Sequence, residues 1–256
     1  MSDEAEILTY EVADGVAWLT MNRPQARNAL NAALREGLRS AFRRFAADGA
    51  ARVAVLRGAG PVFCAGADLK EMAETSLAVP PPDWIPHLQR DSRMDKPVIA
   101  AVHGAALAGG FLLAQMADLC IATTDATFAI TVARWGRGAP WAAPLPWMIP
   151  PRVALELLVT GRPITARRAY ELGLVNELAE PGSLDAAAAE MAAAIAANAP
   201  LTVAAGKRMV REIAGQPLDR AFALADAIYE PAYRSEDAQE GPRAFREKRA
   251  PNWQGR

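Results

Sequence analysis

Apolar positions along the chain switch between a period of two and a period of three to four, and the switches mark its elements. Ile7 to Val12 and Val16 to Met21 flank Asp14-Gly15, the signature of a tight hairpin. After the loop Asn22 to Leu30, Leu34, Leu38, Phe42 and Phe45 recur at helical spacing, with Arg35, Arg39, Arg43 and Arg44 on the solvent side. Arg52 to Arg57 reads as a strand, and Val62-Phe63 as the end of another before the corner Ala65-Gly66-Ala67. Asp68 then caps a helix that opens Leu69-Lys70-Glu71. Val98 to Val102, rich in β-branched residues, predicts a buried strand feeding through His103-Gly104 and Ala108-Gly109-Gly110 into a helix over Phe111 to Met116.

The second half is mostly helical in pattern. Arg152 to Val159 is one helix, and Thr165 caps another that stops at Gly173. Leu184 to Asn198 is alanine-rich, with Leu184, Met191 and Ile195 as its apolar stripe. Pro200 and Pro217 introduce two more helices, and Ser235 caps a last one running to Arg249. This order predicts an α/β class, with residues 1–199 as a core and 200–256 as a C-terminal helical region.

Composition narrows the function. With 256 residues, 52% of them hydrophobic, the chain can bury a full core. A formal net charge of -1 provides no basic field of the kind nucleic-acid binding needs. Cys64 and Cys120 have neither disulfide nor metal spacing, so no metal is expected and both read as core thiols of a reduced compartment. The start, MSDEAEILTYEV, is acidic, and no apolar run approaches the roughly 20 residues of a membrane span. The expectation is a cytoplasmic protein with neither a membrane nor a nucleic acid as partner.

The two small-residue corners carry the candidate chemistry. A helix start leaves backbone N–H groups without partners, aimed at whatever anion sits there. Gly109-Gly110 either forms such a turn or only lets strand and helix pack closely. Two separate corners could each give one donor to a single oxygen, the arrangement of an oxyanion hole. Arg23 and Arg27, in the loop, either meet phosphates or stay solvated.

The motifs FCAGADLKEM (63–72) and KPVIAAVHGAALAGG (96–110) together resemble the enoyl-CoA hydratase/isomerase family, the crotonase superfamily. The likeness extends through NRPQARNAL (22–30), LELLVTGRPITARRAYELGLVNEL (155–178) and the tail 235–256, which is similar to that of carnitinyl-CoA dehydratase-like members. It implies a crotonase-like spiral of ββα turns with a C-terminal helical oligomerisation unit, assembled as homotrimers or dimers of trimers. It implies an acyl-CoA thioester as substrate, coenzyme A being part of that substrate and no cofactor being added. The oxyanion donors would be the amides of Ala67 and Gly109. The backbone around Ala65, Asp68 and Leu69 would border the adenine and pantetheine arm, and Tyr229 and Lys248 match tail positions that reach coenzyme A across a subunit boundary.

The chain departs from the family where hydratases carry their two catalytic glutamates, which align with Leu112 and Val132. From Ala126 to Leu155, the segment expected to wall the acyl pocket, there is no Asp, Glu or His. That segment instead holds Arg134, Trp135, Arg137, Trp141 and Trp147, implying a smaller or flatter cavity. Arg137 and Trp141 are the candidate substrate contacts; Trp135 reads as core and Arg134 as solvent-facing. Thr131 offers a hydroxyl relay at most. Replacement bases would come from Glu71, Glu74, Asp83, His87 or Asp91, beside a Pro-rich lid loop over Ala78 to His87. His87, which titrates near neutral pH, is the possible acid/base group, and His103 reads as structural. Lyase or isomerase chemistry is the family expectation. Decarboxylation, carbon–carbon cleavage and acyl-CoA binding without turnover stay open.

Overall fold

The Asp14-Gly15 hairpin forms as its sequence dictates. β1 (Leu8–Ala13) and β2 (Val16–Met21) pair antiparallel, with Asp14 at φ +51° and Gly15 at φ +78° in the turn. The computed structural model describes residues 6–75, 79–88, 90 and 94–256. Asn31 caps α1 (Ala32–Ala47), its side chain accepting the Leu34 amide at 3.0 Å. Leu34, Leu38 and Phe45 on its inner face are fully buried, each contributing about 1.5–3 kcal/mol of apolar burial.

Three turns of chain then wind the same way. β3 (Val53–Gly58) leads into α2 (Leu69–Thr75). β4 (Val98–Val102) leads through β5 (Ala105–Leu107) into α3 (Gly109–Met116). β6 (Leu119–Thr123) leads through β7 (Thr127–Ala129) to α4 (Leu145–Met148) and α5 (Pro151–Thr160). β8 (Ile164–Thr165), α6 (Ala166–Glu171) and β9 (Glu177–Ala179) follow. Among the described residues the strands form a six-stranded sheet, β1-β2-β3-β4-β6-β9, and a three-stranded one, β5-β7-β8. β2, β3, β4, β6 and β9 run parallel, which is what a spiral with a helical return on each turn produces.

Alternation along the large sheet gives two cores. Leu56, Val98, Ala100 and Val102 face α1 and the second sheet; Val53, Val55, Ile99 and Ala101 face α7 (Leu184–Ala196). The buried stripe of α7 is Leu184, Ala188 and Ala192, with Met191 and Ile195 only half-buried.

Two sequence expectations are corrected here. Val62-Phe63 is not a strand end; the carbonyls of both residues accept from the Asn28 side-chain amide, and the chain touches the second sheet only through the Cys64–Ala106 bridge. Nor does β4 feed α3 directly, because β5 intervenes and belongs to the other sheet.

α8 (Pro200–Glu212), α9 (Leu218–Tyr233) and α10 (Asp237–Glu247) complete the chain. Asp118 anchors α8, accepting from the Val98 amide at 2.8 Å, Lys207 Nζ at 2.8 Å and Arg211 at 2.6 Å. Burial pushes the Lys207 ammonium down to about 8, although Asp118 opposes the shift. The buried Asp237 carboxylate accepts the amides of Gln254 and Gly255, folding the tail back toward the core. On the outer faces Phe222 is 64% exposed and Phe245 88%. Among the described residues no single helix is long and apolar enough to cross a membrane.

Candidate functional site

The loop Asn22 to Leu30 lies along the corner 64–68 as a scaffold. Ala65 N–H donates to Arg27 O at 3.0 Å, Leu30 N–H to Gly66 O at 2.7 Å, and Asp68 N–H to Leu30 O at 3.4 Å. The Ala67 amide donates to no other described residue. On the second corner Ala108 sits at φ +48°, ψ -107°, a costly geometry for a residue with a Cβ. It is pinned there by Ala108 N–H to Ala129 O at 2.8 Å and by Leu112 N–H to Ala108 O at 3.0 Å. The Gly109 amide, first in α3, also finds no described partner.

The two corners touch. A Cβ placed on Gly66 would lie 3.4 Å from the Gly109 nitrogen, and one on Gly109 would lie 3.6 Å from Gly66 Cα. Both corners open into one cavity of about 430 Å³ lined by Ala65, Ala67, Leu69, Ala108, Gly109 and Leu112. Val132, Arg137 and Trp141 also line it, as do Trp84, Ile85 and His87 of the Pro-rich segment. Thus Ala67, Gly109, Ala65, Leu69, Leu112, Val132, His87, Arg137 and Trp141 share one cavity, although they come from four separate stretches of sequence.

Other candidates lie elsewhere. Asp68 faces Arg23 at 3.2 Å and caps α2 through the Lys70 and Glu71 amides. Burial raises its carboxyl, but Arg23 and those amides outweigh burial and hold it below the usual carboxylate range. Arg27 is exposed, at φ +52°, on the loop beside Ala65. Tyr229 is on α9 with its hydroxyl against α8, and Lys248 is the left-handed, exposed cap of α10; neither lines the cavity. Glu71 is committed to the Ala32 amide and to Arg35, both at 2.6 Å. Glu74 and Asp83 are exposed, and Asp91 lies outside the described residues. His103 joins the Gly60 carbonyl at 2.8 Å.

Two side chains, Arg35 and Trp135, differ from expectation. Arg35 is not solvated: its guanidinium pairs with Glu71 and lies 4.1 Å from the Trp84 ring. Trp135 is not core but 60% exposed at the cavity edge, and Trp147 is 86% exposed on α4. Sequence reasoning missed Ala108, since no local signal marks an alanine for positive φ, and Asn28, whose type tolerates positive φ but equally suits a solvated loop. It also missed Met72, Trp84 and Ile85, whose apolar character suits a core equally well.

Electrostatically the cavity is one-sided. Among its described lining residues there is no Asp or Glu, whereas His87, Arg90 and Arg137 border it. Cys64, beneath the corner, is pushed up to about 12 by burial, so its thiol stays protonated and is no nucleophile. Among the described residues no group of three or more His, Cys, Asp or Glu is placed to hold a metal ion.

The parallel spiral thus brings two amides that have no described partner to one apolar cavity. The enoyl-CoA hydratase/isomerase family profile matches residues 11–256, and the chain belongs to that family. It is 41% identical to the enoyl-CoA hydratase EchA19 of Mycobacterium tuberculosis, over 93% of this chain and 92% of that one. It is 37% identical to the carnitinyl-CoA dehydratase of Salmonella typhi, over 93% and 94% respectively. Among solved structures, an enoyl-CoA hydratase from Mycobacterium tuberculosis H37Rv superposes with a TM-score of 0.90 at 42% identity, covering 98% of this chain and 100% of that one.

Proposed function

We propose that the chain binds an acyl-CoA with its thioester oxygen between the Ala67 and Gly109 amides and stabilises the enolate formed when a bond at the α- or β-carbon is made or broken. The observation that carries this reading is that both amides lack a described partner while opening into the same cavity. Fixed donors of this kind are worth about 10²- to 10³-fold in rate each. The generic reaction is hydration, dehydration or double-bond isomerisation, with His87 or a bound water moving the proton. No metal or added cofactor takes part.

A second reading is favoured by the lack of carboxylates among the described lining residues, Leu112 and Val132 occupying the wall instead. In decarboxylation the bond from the α-carbon to a substrate carboxylate breaks, carbon dioxide leaves with its electron pair passed to the enolate, and water protonates the carbon. In carbon–carbon cleavage of a β-keto thioester, water adds to the β-ketone, the bond between the α- and β-carbons breaks to leave a carboxylic acid and the thioester enolate, and a proton returns to the α-carbon. Neither needs a pair of protein carboxylates. A binder that retains the hole without turnover is the remaining alternative.

Incubation of the pure protein with enoyl-, β-keto- and malonyl-type CoA thioesters tests these readings. Product from the first class supports hydratase or isomerase chemistry, product from the others supports the second reading, and saturable binding with no product supports the binder. No binding of any CoA thioester overturns the assignment. We further propose that the exposed Phe222 and Phe245 are covered in a homotrimer or a dimer of trimers, where Tyr229 and Lys248 approach coenzyme A. The compartment consistent with two buried free thiols is the cytoplasm.

A further inference from the structure

We infer that Asn28 is a positioning residue that aims the Ala67 amide into the cavity, an inference that rests on the oxyanion reading above. Asn28 is 0% exposed and held at φ +54°, next to Arg27 at φ +52°. Two successive residues with side chains in left-handed backbone are costly, and asparagine is the type that bears it best. Its side chain is fully engaged. Oδ1 accepts the Arg23 amide at 2.9 Å, and Nδ2 donates toward the carbonyls of Ala59 and Val62 at 2.9 Å and Phe63 at 3.1 Å. Its main-chain carbonyl accepts the Cys64 thiol at 3.1 Å, and Cys64 Sγ in turn accepts the Gly66 amide at 3.4 Å.

One residue thus ties the scaffold loop to the chain that leads into the corner, from Ala59 to Cys64. The step to the amide is geometric. In a trans peptide the C=O and N–H point in opposite directions, and no peptide among the described residues is cis. Gly66 C=O is held by Leu30 N–H at 2.7 Å, so the Ala67 N–H of the same peptide unit points the other way. Leu30 is placed by the loop that Asn28 fastens. Releasing Asn28 lets that peptide plane rotate, and a hydrogen-bond donor weakens steeply as its angle departs from linear.

The test uses the full chain and a crotonyl-CoA labelled with ¹³C at the thioester carbonyl, read by infrared difference spectroscopy, alongside the Kd for coenzyme A itself. In the wild type the bound carbonyl band moves to lower frequency because two donors polarise it. Asn28→Ala is expected to retain less than about half of that movement while the Kd for coenzyme A changes by less than about twofold. Should Asn28→Ala fail to fold, Cys64→Ala removes one strand of the same tie; it is expected to reduce the movement, and Cys64→Ser, which can donate and accept, to restore it. A full carbonyl movement in Asn28→Ala or in Cys64→Ala overturns the assignment of Asn28 while leaving the hole intact. No movement in the wild type overturns the hole and the inference with it.

Discussion

Replacing Gly110 by alanine is expected to separate the two amides by steric force alone. A Cβ at that position would lie 2.2 Å from the Cys64 carbonyl oxygen and 2.9 Å from Cys64 Cβ, where ordinary contact begins at 3.4 Å. The obstructing oxygen is backbone and accepts the Leu107 amide at 2.9 Å, so it cannot swing aside. The start of α3 must therefore retreat by about 1 Å, taking the Gly109 amide with it. A 1 Å misplacement in a reacting assembly costs about 10²-fold, and loss of one oxyanion donor about 10²- to 10³-fold. We expect kcat/KM for the thioester turned over by the wild type to fall by at least about 10²-fold. Overpacking costs about 1–3 kcal/mol of stability, small enough to leave a folded protein. Gly109→Ala is the control. Its Cβ meets only the ends of Leu30 and Ile85, at 2.8 and 2.9 Å, which can change rotamer at about 0.5–1.5 kcal/mol, or roughly tenfold. A folded Gly110→Ala protein with unchanged kcat/KM refutes the reasoning, as does a Gly109→Ala protein that is the more damaged of the two.

The remaining expectations concern stability and assembly. Lys207 has a folded pKa of about 8 against 10.5 unfolded, so from pH 8 upward the unfolded chain holds the proton that the folded one has released, and this group's contribution to stability rises by about 3 kcal/mol at most. The difference in denaturant unfolding free energy between wild type and Lys207→Met is expected to grow from pH 8 to 9; a flat difference refutes the assignment. Cys120 titrates oppositely. Burial raises it to about 12, so its contribution is present below pH 9 and is lost as pH rises toward 12, and Cys120→Ala is expected to flatten the alkaline fall in unfolding free energy. Phe222→Glu with Phe245→Glu is expected to lower the mass measured by light scattering from that of the proposed homotrimer or hexamer to a monomer of 27.3 kDa, and a wild type that is itself monomeric overturns that proposal.

Local chemistry made much of the fold legible. Asp14-Gly15 announces its hairpin because few residues accept its φ values, and the stripe Leu34 to Phe45 announces α1 because its period is helical. Both corners that line the cavity were visible as small residues between apolar runs. What escaped was decided by distant partners. The carbonyls of Val62 and Phe63 bond to the Asn28 side chain, more than 30 positions earlier, so a strand-like run makes no strand. Arg35 is drawn from solvent by Glu71 and by Trp84 of a loop that folds over it. Trp135 leads into Gly136 at φ +63°, a turn that leaves its ring outside, and the single turn of α4 leaves Trp147 outside too. The twist at Ala108 exists only because Ala129 and Leu112 hold it from both sides.

The groups that would receive the thioester oxygen belong to the polymer's repeating unit, which every residue except proline carries. Only an exchange for proline can delete them outright. The side chains that line the cavity, Leu112 and Val132 among them, have no such protection and can be rewritten one codon at a time. Such a protein can therefore change the reaction it performs without rebuilding the part that makes the carbonyl reactive, and a designer seeking new activity here should leave the corners alone and randomise those side chains.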